Sequence, residues 1–152
     1  MPPIKLLLAT LLIAFAPSVS QAETQRELSE ALFIAAHLGH MPSVVDLVQR
    51  GANVNYANAS RETAMHGAAA RGHLQVIQYL KSRRGNINAR TTENWIPLHH
   101  AVRFGHAHIA NYLLAHGAPL YMRTRTGQTV FDIAQGTKDQ RMMNLLERYR
   151  RR

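Results

Sequence analysis

The chain has 152 residues, a length that suits one domain, and its 46% hydrophobic content is ordinary for a globular protein. Its 18 lysines and arginines outnumber its 9 aspartates and glutamates, and the formal charge of +9 favours acidic proteins, nucleic acid or anionic membranes as partners. The absence of cysteine excludes disulfides, zinc–thiolate sites and thiol catalysis.

Residues 1–22 have the layout of a secretory signal peptide. Lys5 supplies a positive charge, an apolar run follows, and Ser20 and Ala22 place small residues three and one before a cleavage site after Ala22. The run is shorter than the roughly 20 apolar residues of a membrane span. An uncleaved anchor and a buried N-terminal helix are the alternatives. Cleavage would leave residues 23–152. Because Lys5 is removed, the formal charge falls from +9 to +8.

The rest of the sequence repeats with a period of 33 residues, which marks a stacked architecture. The dipeptide Gly-His begins at Gly39, Gly72 and Gly105, at that spacing each time. Further residues recur at the same period or at twice it, namely Gly51 and Gly117, Asn55 and Asn88, and Leu32, Met65, Leu98 and Phe131.

Residues 96–120 show the repeated unit most clearly. Apolar residues at helical spacing on both sides of Gly105 predict two short helices. Pro97 suits the first position of the first helix, and Gly117 suits the left-handed residue that ends the second. Neither helix is long enough to be stable alone, so the unit depends on its neighbours.

These motifs resemble those of the ankyrin repeat family over nearly all of residues 23–152. The matching segments are Thr63-Ala64-Met65-His66, Ile96-Pro97-Leu98-His99, the three Gly-His turns, Gly51-Ala52-Asn53-Val54-Asn55, Asn86-Ile87-Asn88-Ala89 and Gly117-Ala118. The resemblance implies an all-α solenoid of about four helix–turn–helix units with short β-hairpin or loop connections.

The register of the motifs divides the chain into a signal peptide, a short polar segment and the repeats. Residues 23–30 are a lead-in or an extension of the first helix. The ankyrin repeat domain occupies residues 31–152. Its units are predicted at approximately 28–59, 60–92, 93–125 and 126–152.

Two places depart from the repeat where a left-handed backbone is expected. Arg84 stands where two other units have glycine, one residue before Gly85. Either Arg84 adopts the left-handed conformation, at a cost of about 1 kcal/mol relative to glycine, or the helix extends and Gly85 forms the turn. At the hairpin tips, Arg61 and Asn94 occupy the place of Gly127, and asparagine tolerates that conformation better than arginine.

The last unit has the features of a terminal cap. It has Lys138-Asp139 in place of the Gly-His turn, and its second helix is predicted from Asp139 to about Tyr149. The helix ends in a cluster of cations, Arg148, Arg150, Arg151 and Arg152. Cations favour a helix C-terminus, and a polar outer face is needed where no further unit stacks.

The nine histidines invite a metal or acid–base hypothesis. Five stand at motif positions, where the resemblance implies hydrogen bonds to turns and helix starts: His40, His66, His73, His99 and His106. His116 precedes a helix-ending glycine, and His37, His100 and His108 have no cysteine or carboxylate at ligand spacing. Motifs of hydrolases, metalloproteases and phosphate-binding loops are absent as well. We therefore expect no metal, no cofactor and no catalytic residue.

The resemblance implies that partners bind on the concave side, through hairpin tips and exposed positions of each first helix. The register places eight candidate partner-binding residues there: Trp95, Phe104, Arg103, Arg71, Arg125, Glu93, Leu38 and His37. Tryptophan and arginine are frequent in interface hot spots. The alternative is that Trp95 packs over the base of its hairpin and Phe104 over the next unit.

Together these features predict a monomeric, non-catalytic protein-interaction scaffold of the periplasm or secreted space, with an acidic protein partner and no small-molecule substrate. One alternative is a secreted effector that engages host proteins. Another is a basic electrostatic binder of anionic envelope components or nucleic acid. Base recognition needs several stacking aromatics, and only Trp95 and Phe104 are available, so nucleic acid is the less favoured partner.

Overall fold

The computed structural model describes residues 18–152, with side chains from residue 24 onward. This part of the chain contains eight helices: α1 (Ser18–Leu38), α2 (Met41–Gln49), α3 (Ala64–Arg71), α4 (Leu74–Ser82), α5 (Pro97–Arg103), α6 (Ala107–Ala115), α7 (Val130–Gly136) and α8 (Gln140–Arg150). Apart from one isolated bridge between Ala57 and Thr63, no strand forms among the described residues. The predicted all-α fold is confirmed, whereas most of the predicted signal peptide lies outside the described residues.

The helices form four consecutive pairs that stack side by side. The first helices make one layer, in which α1 packs on α3, α3 on α5, and α5 on α7. In the second layer α2 contacts α4 and α6 contacts α8. None of the helices in the described residues is long and apolar enough to cross a membrane.

The core follows the 33-residue period. Leu32, Met65 and Leu98 occupy the same repeat position and are all fully buried. Phe131, at that position in the last unit, is half-buried, because no further unit covers it. Small side chains such as Ala68 are also fully buried and let neighbouring helices approach closely.

Residues 23–30 belong to α1 and therefore form the first-helix extension. Leu28 lies in the core. The hydroxyl of Ser29 is buried, donates to the Gln25 carbonyl at 2.7 Å and accepts the Asn53 backbone N–H at 2.9 Å. The extension is thus tied to the turn that ends its own unit.

The left-handed residue after α4 is Arg84, with φ of 65°, so the first of the two alternatives is the one adopted. Gly85 is needed for a different reason. Its N–H donates to the Leu80 carbonyl at 2.8 Å, and a Cβ at Gly85 would lie 2.7 Å from that oxygen. At the hairpin tips, Arg61 and Asn94 both have φ of 59°.

Two buried histidines, one in each inner unit, bond the start of a first helix to the hairpin segment that leads to the next first helix. The Nδ1 atoms of His66 and His99 accept the backbone N–H at the start of their own helices, at 3.1 Å each. Because a backbone N–H can only donate, Nε2 must carry the imidazole proton in both. The Nε2–H groups donate to the carbonyls of Trp95 at 3.2 Å and Met122 at 3.1 Å, which lie in the segments before α5 and α7.

The Gly-His turns provide links in the opposite direction, towards the preceding unit. Nε2 of His73 lies 3.2 Å from the carbonyl oxygen of His37, and Nε2 of His106 lies 3.1 Å from that of Ala70. Adjacent hairpins are also joined through their backbones, since the N–H of Thr92 donates to the carbonyl of Ser60 at 3.0 Å. Each inner unit is thus bonded to the unit that precedes it.

Candidate protein-binding face

The first helices α1, α3 and α5, with the hairpin tips that precede α3 and α5, form a surface that we call the inner face. It carries two open grooves. The first groove, of about 310 Å³, lies between α1 and α3, and the second, of about 330 Å³, lies between the hairpin tips and α5. Both grooves are lined by Glu62 and His100, so they are contiguous.

The first groove has an apolar rim. Ile34 and Leu38 on α1 are 59% and 69% exposed. Next to them, Nε2 of His37 accepts the Nε–H of Arg71 at 2.9 Å. Burial lowers the pKa of His37, and the positive charge of Arg71 lowers it further, so the ring is neutral at pH 7 and can accept this bond. His37 thereby positions the Arg71 guanidinium beside the groove.

Trp95 is the centre of the second groove. It is half-buried, and its ring centroid lies 5.2 Å from that of His100 and 5.7 Å from that of His99. The Arg103 guanidinium lies 5.6 Å from the Trp95 ring centroid, within the range of a cation–π contact. Phe104, at the end of α5, is 54% exposed. Trp95 therefore packs against α5 and lines the groove as well.

His100 separates the two grooves. Its Nε2 atom is buried and has no hydrogen-bond partner among the described residues. Burial lowers the pKa of His100 to about 3, and the positive charges of His66, His99 and Arg103 act in the same direction. The ring is therefore neutral at physiological pH, and it contributes shape and a polar edge to the face without adding charge.

The carboxylates of the face are already engaged. Glu93 forms an exposed ion pair with Arg125 at 3.4 Å, and the Arg125 N–H donates to the Glu93 carbonyl at 2.8 Å. Glu62 accepts a hydrogen bond from Asn58 at 3.3 Å. Because the Arg125 charge is offset by its own partner, Arg71 and Arg103 are the cations that remain to act beside the grooves.

Seven of the eight candidate residues belong to this face, and Arg125, on the hairpin before α7, borders it. Six line the grooves, namely His37, Leu38, Glu93, Trp95, Arg103 and Phe104. Arg71 and Arg125 are hydrogen-bonded to members of that set. Whether these residues bind a partner remains a prediction, since geometry alone does not test it.

The first-groove residues that sequence reasoning did not select as partner-binding include Phe33, Ile34, Gly67 and His100. Ile34, Gly67 and His100 occupy the same repeat position, 33 residues apart. A glycine inside a helical pattern is a recognised signal of a packing or functional requirement. That signal was present at Gly67 and could have pointed to the first groove.

The chemistry of this face suits binding: exposed apolar side chains surround two grooves and two positioned cations stand beside them. Among the described residues, no group of three or more histidine, cysteine, aspartate or glutamate side chains could hold a metal ion.

Comparison with known proteins gives one family. The family model described as "Ankyrin repeats (3 copies)" matches residues 6–91 and 32–124, so the matches together span more than half of the chain. The first match begins within the segment predicted to be a signal peptide. No curated protein matches the chain significantly.

Proposed function

The chain belongs to the ankyrin repeat family, and on this premise we propose that it is an exported, non-catalytic scaffold that binds an acidic protein partner on its inner face. Ankyrin repeats are in general protein–protein interaction modules. The observation that carries the proposal is the cluster of Trp95, Arg103 and Phe104 around the second groove, continuous with exposed Ile34 and Leu38 around the first.

The cluster has the composition and the rigidity of an interface hot spot. Tryptophan and arginine contribute disproportionately to interface energies when they sit centrally among water-excluding neighbours. Trp95 is held by α5, and Arg103 is held over the Trp95 ring. Because these side chains are positioned before a partner arrives, little ordering entropy is lost on binding.

The charges of the inner face favour an acidic partner. Arg71 and Arg103 stand beside the grooves, while Glu93 is paired with Arg125. The formal charge of +9 adds a long-range attraction that speeds encounter with acidic molecules. The same features support a scaffold and give no support to catalysis.

Capture from the envelope fraction of the source organism tests the proposal, provided that variants are compared. Trp95→Ala combined with Phe104→Ala should reduce recovery of the specific partner about tenfold or more. Tyr121→Ala is the matched control, because Tyr121 is also an exposed aromatic residue (61%) but does not line either groove. Equal recovery by the double variant and the control would refute the inner face as the binding surface.

Charge reversal tests the acidity of the partner. Arg103→Glu should weaken binding of the captured partner, and Arg141→Glu, an exposed arginine on α8, should not. Titration calorimetry with the purified partner compares the affinities of the two variants. Equal effects of both reversals would mean that only the net charge matters.

Export is supported by the pattern of residues 1–22. A cut after Ala22 would remove only the first residues of α1. Among the residues whose side chains are described, Leu28 is the first that lies in the core. N-terminal sequencing of the protein from its native host should therefore begin at Glu23, and a start at Met1 or Pro2 would refute cleavage. If fractionation finds the protein outside the cell, the same face would serve an effector that engages host proteins.

A second candidate function is electrostatic binding of anionic envelope components or nucleic acid. It is favoured by a polar groove of about 510 Å³, separate from the two grooves described above, that Arg61 and Arg90 line without any carboxylate. Binding of this kind should fall steeply with salt and show little selectivity. A salt series with purified nucleic acid and with anionic vesicles, compared with the captured protein, distinguishes the two functions.

A further inference from the structure

One repeat position of the inner face differs from unit to unit. Ile34, Gly67, His100 and Ile133 stand at this position in the first helices of the four units. Gly67 alone has no side chain, although it lies in the interior of α3. Its neighbours at the same position, Ile34 and His100, lie on the helices on either side, and all three residues line the first groove.

The backbone at Gly67 does not require glycine. A Cβ there would meet the Cβ of His37 at 3.4 Å and its Nδ1 at 3.5 Å, which are ordinary van der Waals contacts. The φ angle is not in the left-handed region, unlike that of Gly72 in the turn that follows. Glycine in a helix interior costs about 1 kcal/mol relative to alanine. Gly67 is itself buried, with His37 as its nearest neighbour, so what glycine provides at this position is room in the groove between α1 and α3.

The space at Gly67, which we call the notch, has a mixed but mostly apolar lining. Ile34 and Leu38 contribute exposed aliphatic surface on the α1 side. His100 contributes a neutral ring on the α5 side. Glu62 also lines the groove, and its carboxylate opposes a negative charge placed in the notch. The occupant that fits is an uncharged, apolar side chain.

The charges on either side of the notch are positive. Arg71 is held next to the first groove by His37, and Arg103 is held next to the second groove by Trp95. A partner segment with an apolar residue in the notch would therefore bring flanking carboxylates to these two cations. Such an arrangement gives both charge complementarity and a fixed register.

We infer that the notch at Gly67 receives one apolar side chain of the protein partner, from an acidic segment whose carboxylates meet Arg71 and Arg103. The inference rests on the proposed function, because it names the part of the partner that the inner face recognises. It also explains why α3 carries a glycine that its backbone does not need.

A phage-displayed library of random dodecapeptides, panned on the purified protein, provides a defined probe. Selected peptides should share one aliphatic or aromatic residue flanked by aspartate or glutamate. Trp95 is the only tryptophan of the chain and lines the adjoining groove, so its fluorescence should report binding directly. Affinities are then measured for the wild-type protein and its variants with the same synthetic peptide.

Gly67→Leu fills the notch with a side chain of the same size as Ile34 and Ile133, which stand at this position in the first and last units. It should weaken peptide binding about tenfold or more. Gly67→Ala is a smaller change that the backbone accommodates, and it should give an intermediate loss. Gly136→Ala is the matched control, because Gly136 also lies in a first helix and a Cβ there would have no neighbour within 4 Å. Circular dichroism establishes that the variants are folded.

The outcomes separate this inference from the proposed function. If Trp95→Ala weakens peptide binding but Gly67→Leu does not, the notch inference is wrong and the inner face remains the binding surface. If neither variant changes binding, the proposed function fails too. The inference is also overturned if no selected peptide loses affinity for the Gly67 variants. It is likewise overturned if the residue that the selected peptides share is consistently charged.

Discussion

The first helices of the inner units and of the last unit have different residues bonded to the backbone at their starts. His66 and His99 accept a backbone N–H of their own helix and donate to a carbonyl of the hairpin segment that leads to the next first helix. Asp132, at the same repeat position in the last unit, accepts the Thr129 N–H at 2.7 Å and its hydroxyl at 2.8 Å, and both bonds stay local.

The second motif position shows the same contrast. His73 and His106 of the Gly-His turns reach back to carbonyls of the preceding unit. In the last unit Asp139 replaces the histidine and caps its own helix, accepting the Met142 N–H at 3.0 Å. Imidazole is used where two units must be bonded together, and a carboxylate where one helix start must be satisfied next to solvent.

The largest expected effect comes from removing a linking histidine. His99→Ala leaves the Met122 carbonyl and the Ile96 N–H without partners and opens a cavity, so we expect a loss of about 3 kcal/mol in the free energy of unfolding. Asp132→Ala removes only a local cap and should cost about 1 kcal/mol. Urea denaturation followed by circular dichroism measures both.

His99→Asn separates the two contributions of this residue. The asparagine carbonyl can still accept the N–H of Ile96, but its side chain is too short to reach the Met122 carbonyl. The loss in the free energy of unfolding should therefore lie between those of His99→Ala and the wild type. Equal losses for His99→Ala and Asp132→Ala would mean that the bond to the Met122 carbonyl contributes nothing measurable.

Acid should weaken the inner units before the terminal one. Burial lowers the pKa values of His66, His99 and His100, that of His100 to about 3 from an ordinary value of 6.5. The unfolded chain therefore binds more protons below pH 6.5, and stability falls as pH falls from 6.5 towards 3. For His100 alone the loss is about 2 kcal/mol by about pH 5. The pKa of Asp132 is lowered from 3.8, so its contribution is lost only in stronger acid.

His100→Leu tests the pH prediction. The variant removes a buried nitrogen that has no hydrogen-bond partner in the described structure, so it should be at least as stable as the wild type at neutral pH. Its stability should also change less between neutral pH and about pH 5. An unchanged pH profile would show that other groups dominate acid unfolding.

The period and the helix pairs were predictable from sequence because they depend on local residue patterns that recur every 33 residues. The eight residues predicted to bind a partner were selected by register alone, and their role stays a prediction. The grooves were not predictable in the same way. They depend on which side chain is absent at Gly67 and on how far the His100 ring is buried, and both follow from packing between units.

The backbone conformation after α4 also could not be predicted from the sequence. Arg84 and Gly85 were equal candidates for the left-handed turn, since the cost at arginine is only about 1 kcal/mol. In the structure Arg84 adopts the left-handed conformation, and Gly85 instead approaches the Leu80 carbonyl closely. A contact of this kind has no signature in the residue pattern.

A smaller effect should distinguish glycine in the inner and terminal units. Gly67→Ala should raise the free energy of unfolding by about 0.5–1 kcal/mol, because the backbone is helical and the added Cβ finds room. Gly136→Ala should raise it less, since Gly136 is the last residue of α7. Thermal and urea unfolding of both variants test this. A loss of stability in Gly67→Ala would show that the glycine is required by packing.

The smallest expected effect lies at the hairpin tips, where Arg61 and Asn94 of the inner units adopt the conformation of Gly127 in the last unit. Arg61→Gly relieves the left-handed backbone strain but raises the conformational entropy of the unfolded chain. We therefore expect a net gain of about 0.5 kcal/mol in the free energy of unfolding. Asn94→Gly should instead lose stability, because the Asn94 amide donates to the Arg123 carbonyl at 2.6 Å. Opposite signs in urea denaturation would show that the asparagine tip stabilises the fold by bonding one hairpin to the following one. Equal gains would show that both tips are merely strained.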